Sequence, residues 1–154
     1  MKGFLEVFLL SLVPTFEGRY AIVYGIGRGY SLGQTLLAAA LGVLVLSVVL
    51  PALLPYIDRL MLLLERTPLA KIGRLYLYYV ERVRRKARPY VERWGFVGLT
   101  IFVAIPLPGT GIWTGALAAY ILAIERRQTV PALILGGLLS MAITLLPALG
   151  VFGY

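Results

Sequence analysis

Two long stretches without a charged residue constrain this chain more than any other feature of its sequence. Residues 32–57 form an uncharged stretch of 26, and residues 128–154 form another of 27. A helix needs about 20 apolar residues to cross the hydrocarbon core of a bilayer. The mean hydropathy of +0.87 and the charged fraction of 14% exclude an ordinary water-soluble domain. We therefore predict a membrane protein with transmembrane helices within 31–57 and 125–154.

Two further apolar regions contain breaks, and the pieces on either side are too short to cross a bilayer. Residues 95–124 are uncharged, but a turn rich in proline and glycine divides them at 106–109. The first 30 residues repeat the arrangement, because Pro14 separates two short apolar runs. Apolar runs of about 10 to 14 residues favour re-entrant segments. We expect re-entrant helical hairpins at 1–30 and 95–124, with a signal peptide as the alternative for the first.

The segment 58–94 carries most of the positive charge. Its apolar residues recur at steps of three and four, which is typical of one face of a helix. These residues are Leu69, Ile72, Tyr76, Tyr79, Val83, Ala87, Tyr90 and Trp94. The other face is basic, so we expect an amphipathic helix that lies in the interface beside anionic headgroups, starts near Pro68 and kinks at Pro89. A solvated basic linker is the alternative.

The distribution of lysine and arginine predicts the orientation in the membrane. Of 15 such residues, ten lie in 58–94 and two more are Arg126 and Arg127. Basic residues concentrate on the cytoplasmic side of a membrane, so we expect 58–94 in the cytoplasm and both termini outside. The two units of hairpin plus helix then run in opposite directions, as in the inverted repeats of many secondary transporters.

An overlay of the chain on itself at an offset of 94 supports this duplication. It pairs Pro14 with Pro108, Gln34 with Gln128, Thr35 with Thr129 and Gly42 with Gly136. The matching positions of the breaks carry more weight than the identities, because a chain rich in leucine and alanine produces some identities by chance. The predicted fold is a single all-α membrane domain, 1–154, with an inverted repeat.

The composition excludes most catalytic chemistry. The chain has no histidine, no cysteine and only seven acidic residues, whereas zinc sites, thiol nucleophiles and histidine-based triads need those side chains. We expect no enzyme, no metal and no cofactor. A net charge of +8 would suggest nucleic acid for a soluble protein. Here the charge is concentrated beside membrane segments, so we expect anionic lipids and no nucleic acid as partners.

Glu17 and Arg19 follow directly after the break at Pro14. A charge at the centre of a transmembrane helix costs roughly 2.5–3.5 kcal/mol on insertion scales, which makes the pair a candidate functional site. Residues two apart on a helix do not face each other, so we expect different partners for the two side chains. Glu17 is a candidate proton carrier, and Arg19 is a candidate ligand for an anion or for the Glu17 carboxylate. The alternative is a shallow hairpin with both charges at headgroup depth.

The turn in the second hairpin is the other half of the candidate site. Non-helical backbone at membrane depth survives only where it is buried in protein or lines a cavity. The helix that starts near Thr110 directs its free N–H groups toward the midplane, where an anion or the Glu17 carboxylate would bind, and Thr110 is the expected N-cap. A purely structural turn is the alternative. The site residues here are Pro106, Pro108, Gly109, Thr110 and Gly111.

Other residues of the hairpins are candidates for packing or for lining a path. Pro14, Trp113 and Gly115 belong to this group. Small residues recur every four positions in both hairpins, at Ala21, Gly25 and Gly29 and at Gly111, Gly115 and Ala119. Small residues let helix backbones approach closely, so we expect the two hairpins to meet along these strips, tip to tip.

The hairpin motifs resemble those of the small multidrug export protein family of prokaryotic membrane proteins. The resemblance rests on Glu17-Gly18-Arg19-Tyr20-Ala21-Ile22 and on residues 106–116, PLPGTGIWTGA. It implies an export function in the prokaryotic inner membrane, although Val23 stands where the family usually has a proline. The paired hairpins are also similar to the DedA-type superfamily, which is associated with proton-coupled transport and lipid movement. This chain lacks the basic residues that flank the prolines of that superfamily.

The leading hypothesis is a secondary transporter or ion-coupled exporter that works by alternating access around the two hairpins. A lipid translocase or scramblase is the second hypothesis, in which basic side chains gather anionic headgroups. The candidates for that contact are Arg82, Arg84, Arg85 and Lys86. A scaffold without transport activity is the third. With so few membrane elements, a closed pathway favours a homodimer.

Overall fold

Six α-helices and no strand make up the ordered elements of residues 1–153, the part of the chain that the computed structural model describes. The helices are α1 (Lys2–Leu12), α2 (Glu17–Gly27), α3 (Leu32–Leu64), α4 (Ala70–Ala104), α5 (Ile112–Ile121) and α6 (Arg126–Phe152). The prediction of an all-helical chain is confirmed. Two of the helices, α3 and α6, are long and apolar enough to cross a membrane.

Both predicted breaks are present. The chain leaves the helical conformation between α1 and α2, where Thr15 adopts a positive φ of 77°. It does so again between α4 and α5, where Gly109 has a φ of 79°. Proline next to these positions removes a backbone donor and restricts the preceding residue, so neither helix continues through the break.

The two long helices begin close to the predicted starts. The Ser31 side chain caps α3 by accepting a hydrogen bond from the Gln34 backbone nitrogen at 3.4 Å. The helix runs seven residues past Ile57 and ends at Leu64, because its apolar sequence continues beyond Asp58. It retains prolines at 51 and 55, which helices in membranes tolerate when neighbouring groups satisfy the freed carbonyls.

The α4 helix contains a sharp corner at Gly95, which has φ 55° and ψ −122°. The predicted kink at Pro89 is wrong, because Pro89 lies inside the helix and the chain reverses six residues later. The reversal brings the Tyr90 and Phe102 rings to a centroid distance of 5.9 Å. We call residues 70–94 the basic arm and residues 96–104 the return arm.

The basic arm packs on the second hairpin, which consists of the return arm and α5. Val83 and Ala87, in the middle of the apolar stripe, are buried, whereas Leu69 and Trp94 at its ends are exposed. The Tyr79 hydroxyl lies 3.2 Å from the Thr114 hydroxyl on α5. The protein itself therefore covers the centre of the apolar face, and only the two ends of that face are left exposed.

Asp58, near the end of α3, forms hydrogen bonds to residues of both α4 and α5. Its two carboxylate oxygens accept hydrogen bonds from the hydroxyls of Tyr76 on α4 at 2.8 Å and Tyr120 on α5 at 3.1 Å. Burial raises the pKa of the Tyr76 hydroxyl, and the hydrogen bond to Asp58 raises it further. The Tyr76 hydroxyl thus stays protonated and remains a donor.

The packing of the hairpins on the long helices follows a regular pattern. The first hairpin consists of α1 and α2; α1 packs on α3, and α2 contacts both α3 and α6. In the second hairpin α4 packs on α6, and α5 contacts both α3 and α6. The two breaks meet in the centre of this arrangement.

Candidate functional site

Glu17 is the first residue of α2, and the break positions its side chain. It adopts a φ of 50°, a conformation that non-glycine residues adopt only where surrounding contacts enforce it. Gly18 lets the helix approach its neighbours, since a side chain there would collide with Val43 and Met141. The result is a glutamate that is only 4% exposed to solvent.

The Glu17 carboxylate caps the N-terminus of α5. Oε2 accepts a hydrogen bond of 2.9 Å from the Ile112 backbone nitrogen, and Oε1 accepts one of 3.1 Å from the Trp113 backbone nitrogen. The first N–H groups of a helix have no partner within the helix and carry the positive end of its dipole. Of the two occupants that the sequence suggested for this position, an anion or Glu17, the structure shows Glu17.

Arg19 binds the other helix end at the same break. Its Nη1 donates to the carbonyl of Ile105 at 3.2 Å and lies 3.4 Å from the Thr110 hydroxyl. Ile105 is the C-cap of α4, so the guanidinium lies at the negative end of that helix. The guanidinium also lies over the Tyr20 ring, with Cζ 5.1 Å from the centroid.

Glu17 and Arg19 thus have different partners, as their spacing predicts. No ion pair joins them within residues 1–153. The acid stabilises the start of one helix of the second hairpin, and the base stabilises the end of the other. This arrangement joins the tip of the first hairpin to both sides of the break in the second.

Thr110 is not the N-cap of α5, so that prediction is wrong. Its hydroxyl lies 2.6 Å from the Ile105 carbonyl and 2.7 Å from the Leu107 carbonyl, inside the turn. The N-cap residue is Gly111, which has no side chain to accept a hydrogen bond from the first turn of α5. The Glu17 carboxylate fills the space beside it, because a Cβ at Gly111 would overlap that carboxylate.

The strips of small residues do not pack along each other, which corrects a further prediction, and Gly111 touches the other hairpin only through the Glu17 carboxylate at the tips. Gly25 faces Thr35 and Val7, and Gly115 faces Val103 and Leu133. The middle glycine of each strip therefore packs within its own half of the protein. The hairpins meet only at their tips, where side chains from one break reach the backbone of the other.

Trp113 lies between the two tips. Its indole Nε1 donates a hydrogen bond of 3.2 Å to the carbonyl of Leu12, near the end of α1. The bond satisfies one of the free carbonyls at the C-terminus of that helix. Of the two roles that the sequence suggested, packing and a path wall, the geometry favours packing for Trp113 and for Gly115.

The exposed side of the turn at 106–111 contacts the basic arm. The Lys86 ammonium donates a hydrogen bond of 3.3 Å to the Pro108 carbonyl. Grooves of about 380 Å³ and 240 Å³ run beside this contact, and both are lined by Arg82 and Lys86. Of the four predicted headgroup ligands, Arg84 and Arg85 pair with Glu81 at 3.0 Å and 3.7 Å.

Ser140 on α6 is a site residue that the sequence did not indicate. It borders a narrow internal gap together with Glu17 and Arg19. Its position in an otherwise apolar stretch could have marked it as a candidate, since polar side chains in membrane helices often form hydrogen bonds to neighbouring helices. Within the described chain, no three Asp, Glu, His or Cys side chains cluster closely enough to hold a metal ion.

The model of the family described as "Putative small multi-drug export protein" matches residues 17–143, which include both breaks and both long apolar helices. No curated protein and no solved structure matches the chain. The two apolar helices and this family together identify an integral membrane protein.

Proposed function

Because the chain belongs to the small multi-drug export protein family, we propose that it is a secondary transporter rather than an enzyme. The proposed site comprises Glu17, Arg19 and the turn at 106–111. One observation carries the proposal: two buried opposite charges at one hairpin tip bind the two helix ends at the break of the other hairpin. Charges and broken backbone at membrane depth are typical of substrate and ion sites.

The proposal includes re-entrant hairpins and an inverted repeat, with 58–94 in the cytoplasm and the termini outside. The packing supports a repeat, because the contacts correspond pairwise: α1 with α3 matches α4 with α6, and α2 with α6 matches α5 with α3. Each hairpin therefore packs on the long helix that follows it and on the long helix of the other half. Inverted-repeat transporters move one such unit against the other around a fixed site.

Gly42 and Gly136, which are 94 positions apart, both pack against the first helix of the hairpin in their own half, although their partners there are 92 positions apart. Gly42 lies against Ser11 of α1, and Gly136 lies against Val103 of the return arm. Glu17 and Gly111 also differ by 94 positions and are in contact. Two equivalent residues touch each other only beside a two-fold axis, so the proposed pseudo-symmetry axis passes between the hairpin tips.

The proposed mechanism uses Glu17 as the coupling group. As a carboxylate it holds the α5 N-terminus and keeps the hairpin tips together. Protonation removes the charge and leaves a weaker acceptor, because hydrogen bonds to ionised groups are roughly twice as strong as neutral ones. The tips then separate on one side of the membrane, and substrate binding at Arg19 and the turn accompanies the change.

Transport into liposomes tests this proposal. The purified protein is reconstituted around a pH-sensitive dye, and cationic dyes, organic anions and amino acids are added in turn under an imposed proton gradient. We expect at least one compound to accelerate proton movement above protein-free liposomes and Glu17→Gln to abolish the effect. Glu125→Gln, an exposed acid, is the matched control. Equal transport by Glu17→Gln and the parent, or no transport of any compound, would contradict the proposal.

Lipid translocation is a second candidate function, and the grooves beside Pro108 favour it. The basic grooves contain Arg82 and Lys86, which have no carboxylate partner among the described residues. An apolar groove of about 470 Å³, lined by Phe16, Tyr20 and other side chains, also borders Pro108. An anionic headgroup and its acyl chains would fit these neighbouring surfaces.

Vesicles with fluorescent phosphatidylglycerol in both leaflets test the second candidate. A membrane-impermeant reductant bleaches the outer leaflet, and a translocase exposes the inner pool to it. We expect the Arg82→Gln/Lys86→Gln double variant to slow bleaching of the inner pool. The double variant Arg84→Gln/Arg88→Gln removes the same charge from residues that already pair with acids. Equal effects of the two double variants would contradict a role for the groove.

A further inference from the structure

The α5 N-terminus is surrounded by more hydrogen-bond donors than Glu17 satisfies. Arg19 and Ser140 are each only 3% exposed, yet Arg19 Nε and Ser140 Oγ have no hydrogen-bond partner within residues 1–153. Leaving a buried polar group without a partner costs about 1–3 kcal/mol, and more for a charged group. Two such groups at one place point to a role in binding a polar ligand.

Both residues line one internal gap, which lies between α2, α3, the return arm, α5 and α6. Its other walls are Glu17, Gly18, Ile112 and the side chains or backbone of Val43, Val103 and Gly137. The gap has no room for a water molecule, so water cannot satisfy the two groups. Glu17 is the only acid in this lining, and Arg19 is the only base.

We propose that the α5 N-terminus, Arg19 and Ser140 form the binding site for one anionic group of the substrate, and that the Glu17 carboxylate fills part of this site when the substrate is absent. The inference rests on the proposed transport function and names its substrate class. Without Glu17 the site presents two backbone N–H groups, a guanidinium and a hydroxyl. Such a set of donors with a net positive charge binds a carboxylate or another small oxyanion.

This arrangement makes Glu17 an internal competitor of the substrate. When the Glu17 side chain leaves, it vacates the volume of a carboxylate group and exposes the α5 N–H groups to an incoming anion. The incoming anion also reaches the Ser140 hydroxyl, with which Glu17 makes no hydrogen bond. The Glu17 carboxylate and the substrate anion therefore exclude each other from the helix end.

Trp113 provides a direct reporter for binding. The chain has two tryptophans, Trp94 and Trp113, so Trp94→Phe leaves one whose backbone nitrogen contacts the site. The probe is formate, the smallest carboxylate. In the Glu17→Ala/Trp94→Phe protein we expect a saturable change in Trp113 emission with formate, whereas Trp94→Phe alone at neutral pH responds at much higher concentrations or not at all.

Ser140 distinguishes a substrate site from simple replacement of the missing side chain. Because Ser140 makes no hydrogen bond to Glu17, binding of formate that only replaces the Glu17 carboxylate would not change in the Ser140→Ala variant. We expect Ser140→Ala to weaken formate binding by about tenfold, the effect of one hydrogen bond to a charged group. Ser47→Ala is the matched control, since Ser47 is buried on α3 and bonds the Val43 carbonyl at 2.7 Å.

Glu17→Gln serves as a second background in case Glu17→Ala does not fold. Its amide is nearly the same size but uncharged, so formate should displace it at higher concentration. The inference is overturned if a folded variant shows no saturable change, or if Ser140→Ala and Ser47→Ala have equal effects. A chain that binds formate but transports nothing contradicts only the proposed function, and transport without formate binding contradicts only this inference.

Discussion

The Glu17 Oε2 atom lies 2.9 Å from the backbone nitrogen of Ile112, although 95 positions separate the two residues. This hydrogen bond joins the tip of the first hairpin to the start of the second hairpin's returning helix. The Glu17 carboxylate also accepts a hydrogen bond from the Trp113 backbone nitrogen. Removal of this carboxylate would therefore leave two N–H groups at the start of α5 without a partner. The relationship leads to direct predictions about stability.

Glu17→Ala should lower the free energy of unfolding by about 1–3 kcal/mol, because the N–H groups of Ile112 and Trp113 lose their acceptor. Glu17→Gln should cost less, since its carbonyl oxygen still accepts one bond. Thermal unfolding in detergent micelles measures both. Glu125→Ala, at an exposed position, is the control, and an equal loss for Glu17→Ala and Glu125→Ala would contradict the capping role.

Gly111→Ala should also destabilise the protein, by about 1–3 kcal/mol, because the new methyl group would overlap the Glu17 carboxylate. The carboxylate would have to leave the α5 N-terminus. Gly33→Ala on α3 is the matched control, since nothing lies within 4 Å of a Cβ there. If the Gly111→Ala and Gly33→Ala proteins have the same free energy of unfolding, the proposed contact between Glu17 and Gly111 is wrong.

Gly95→Ala should lower the free energy of unfolding by about 1–3 kcal/mol, because the φ of 55° and ψ of −122° strain any residue with a Cβ. Gly150→Ala, inside α6 with open space around it, should be neutral or stabilising by up to about 1 kcal/mol. Denaturant titration compares the two. If both substitutions have the same effect, the corner does not depend on glycine.

The proposed re-entrant topology makes a clear prediction about sidedness. The chain has no cysteine, so single cysteines can be placed at the exposed ends of each hairpin: Lys2 and Arg28 for the first, Arg93 and Arg127 for the second. A membrane-impermeant thiol reagent should label Lys2→Cys and Arg28→Cys from outside, and Arg93→Cys and Arg127→Cys from the cytoplasm. Labelling of one hairpin's two ends from opposite sides would show that it spans the membrane.

The positions of the helices were predictable because they depend on local chemistry. Pro14 and the turn at 106–109 interrupt helices wherever they occur, and long uncharged stretches form long apolar helices. The same local reasoning misplaced the reversal of α4 at Pro89. The chain turns at Gly95 because only glycine adopts that conformation, and the pairing of the two arms stabilises it.

The sequence alone predicted an all-helical membrane chain, two apolar regions that are each divided by a break, and a pair of charged residues beside the first break. Tertiary packing decided which groups meet: Glu17 at the α5 N-terminus, Arg19 at the end of α4, and Ser140 beside both. Helix propensity and hydropathy act over a few neighbouring residues, so a sequence pattern shows their outcome. Contacts across 95 positions depend on how whole hairpins pack, so the sequence left an anion and Glu17 as alternatives at the α5 N-terminus, and packing placed Glu17 there.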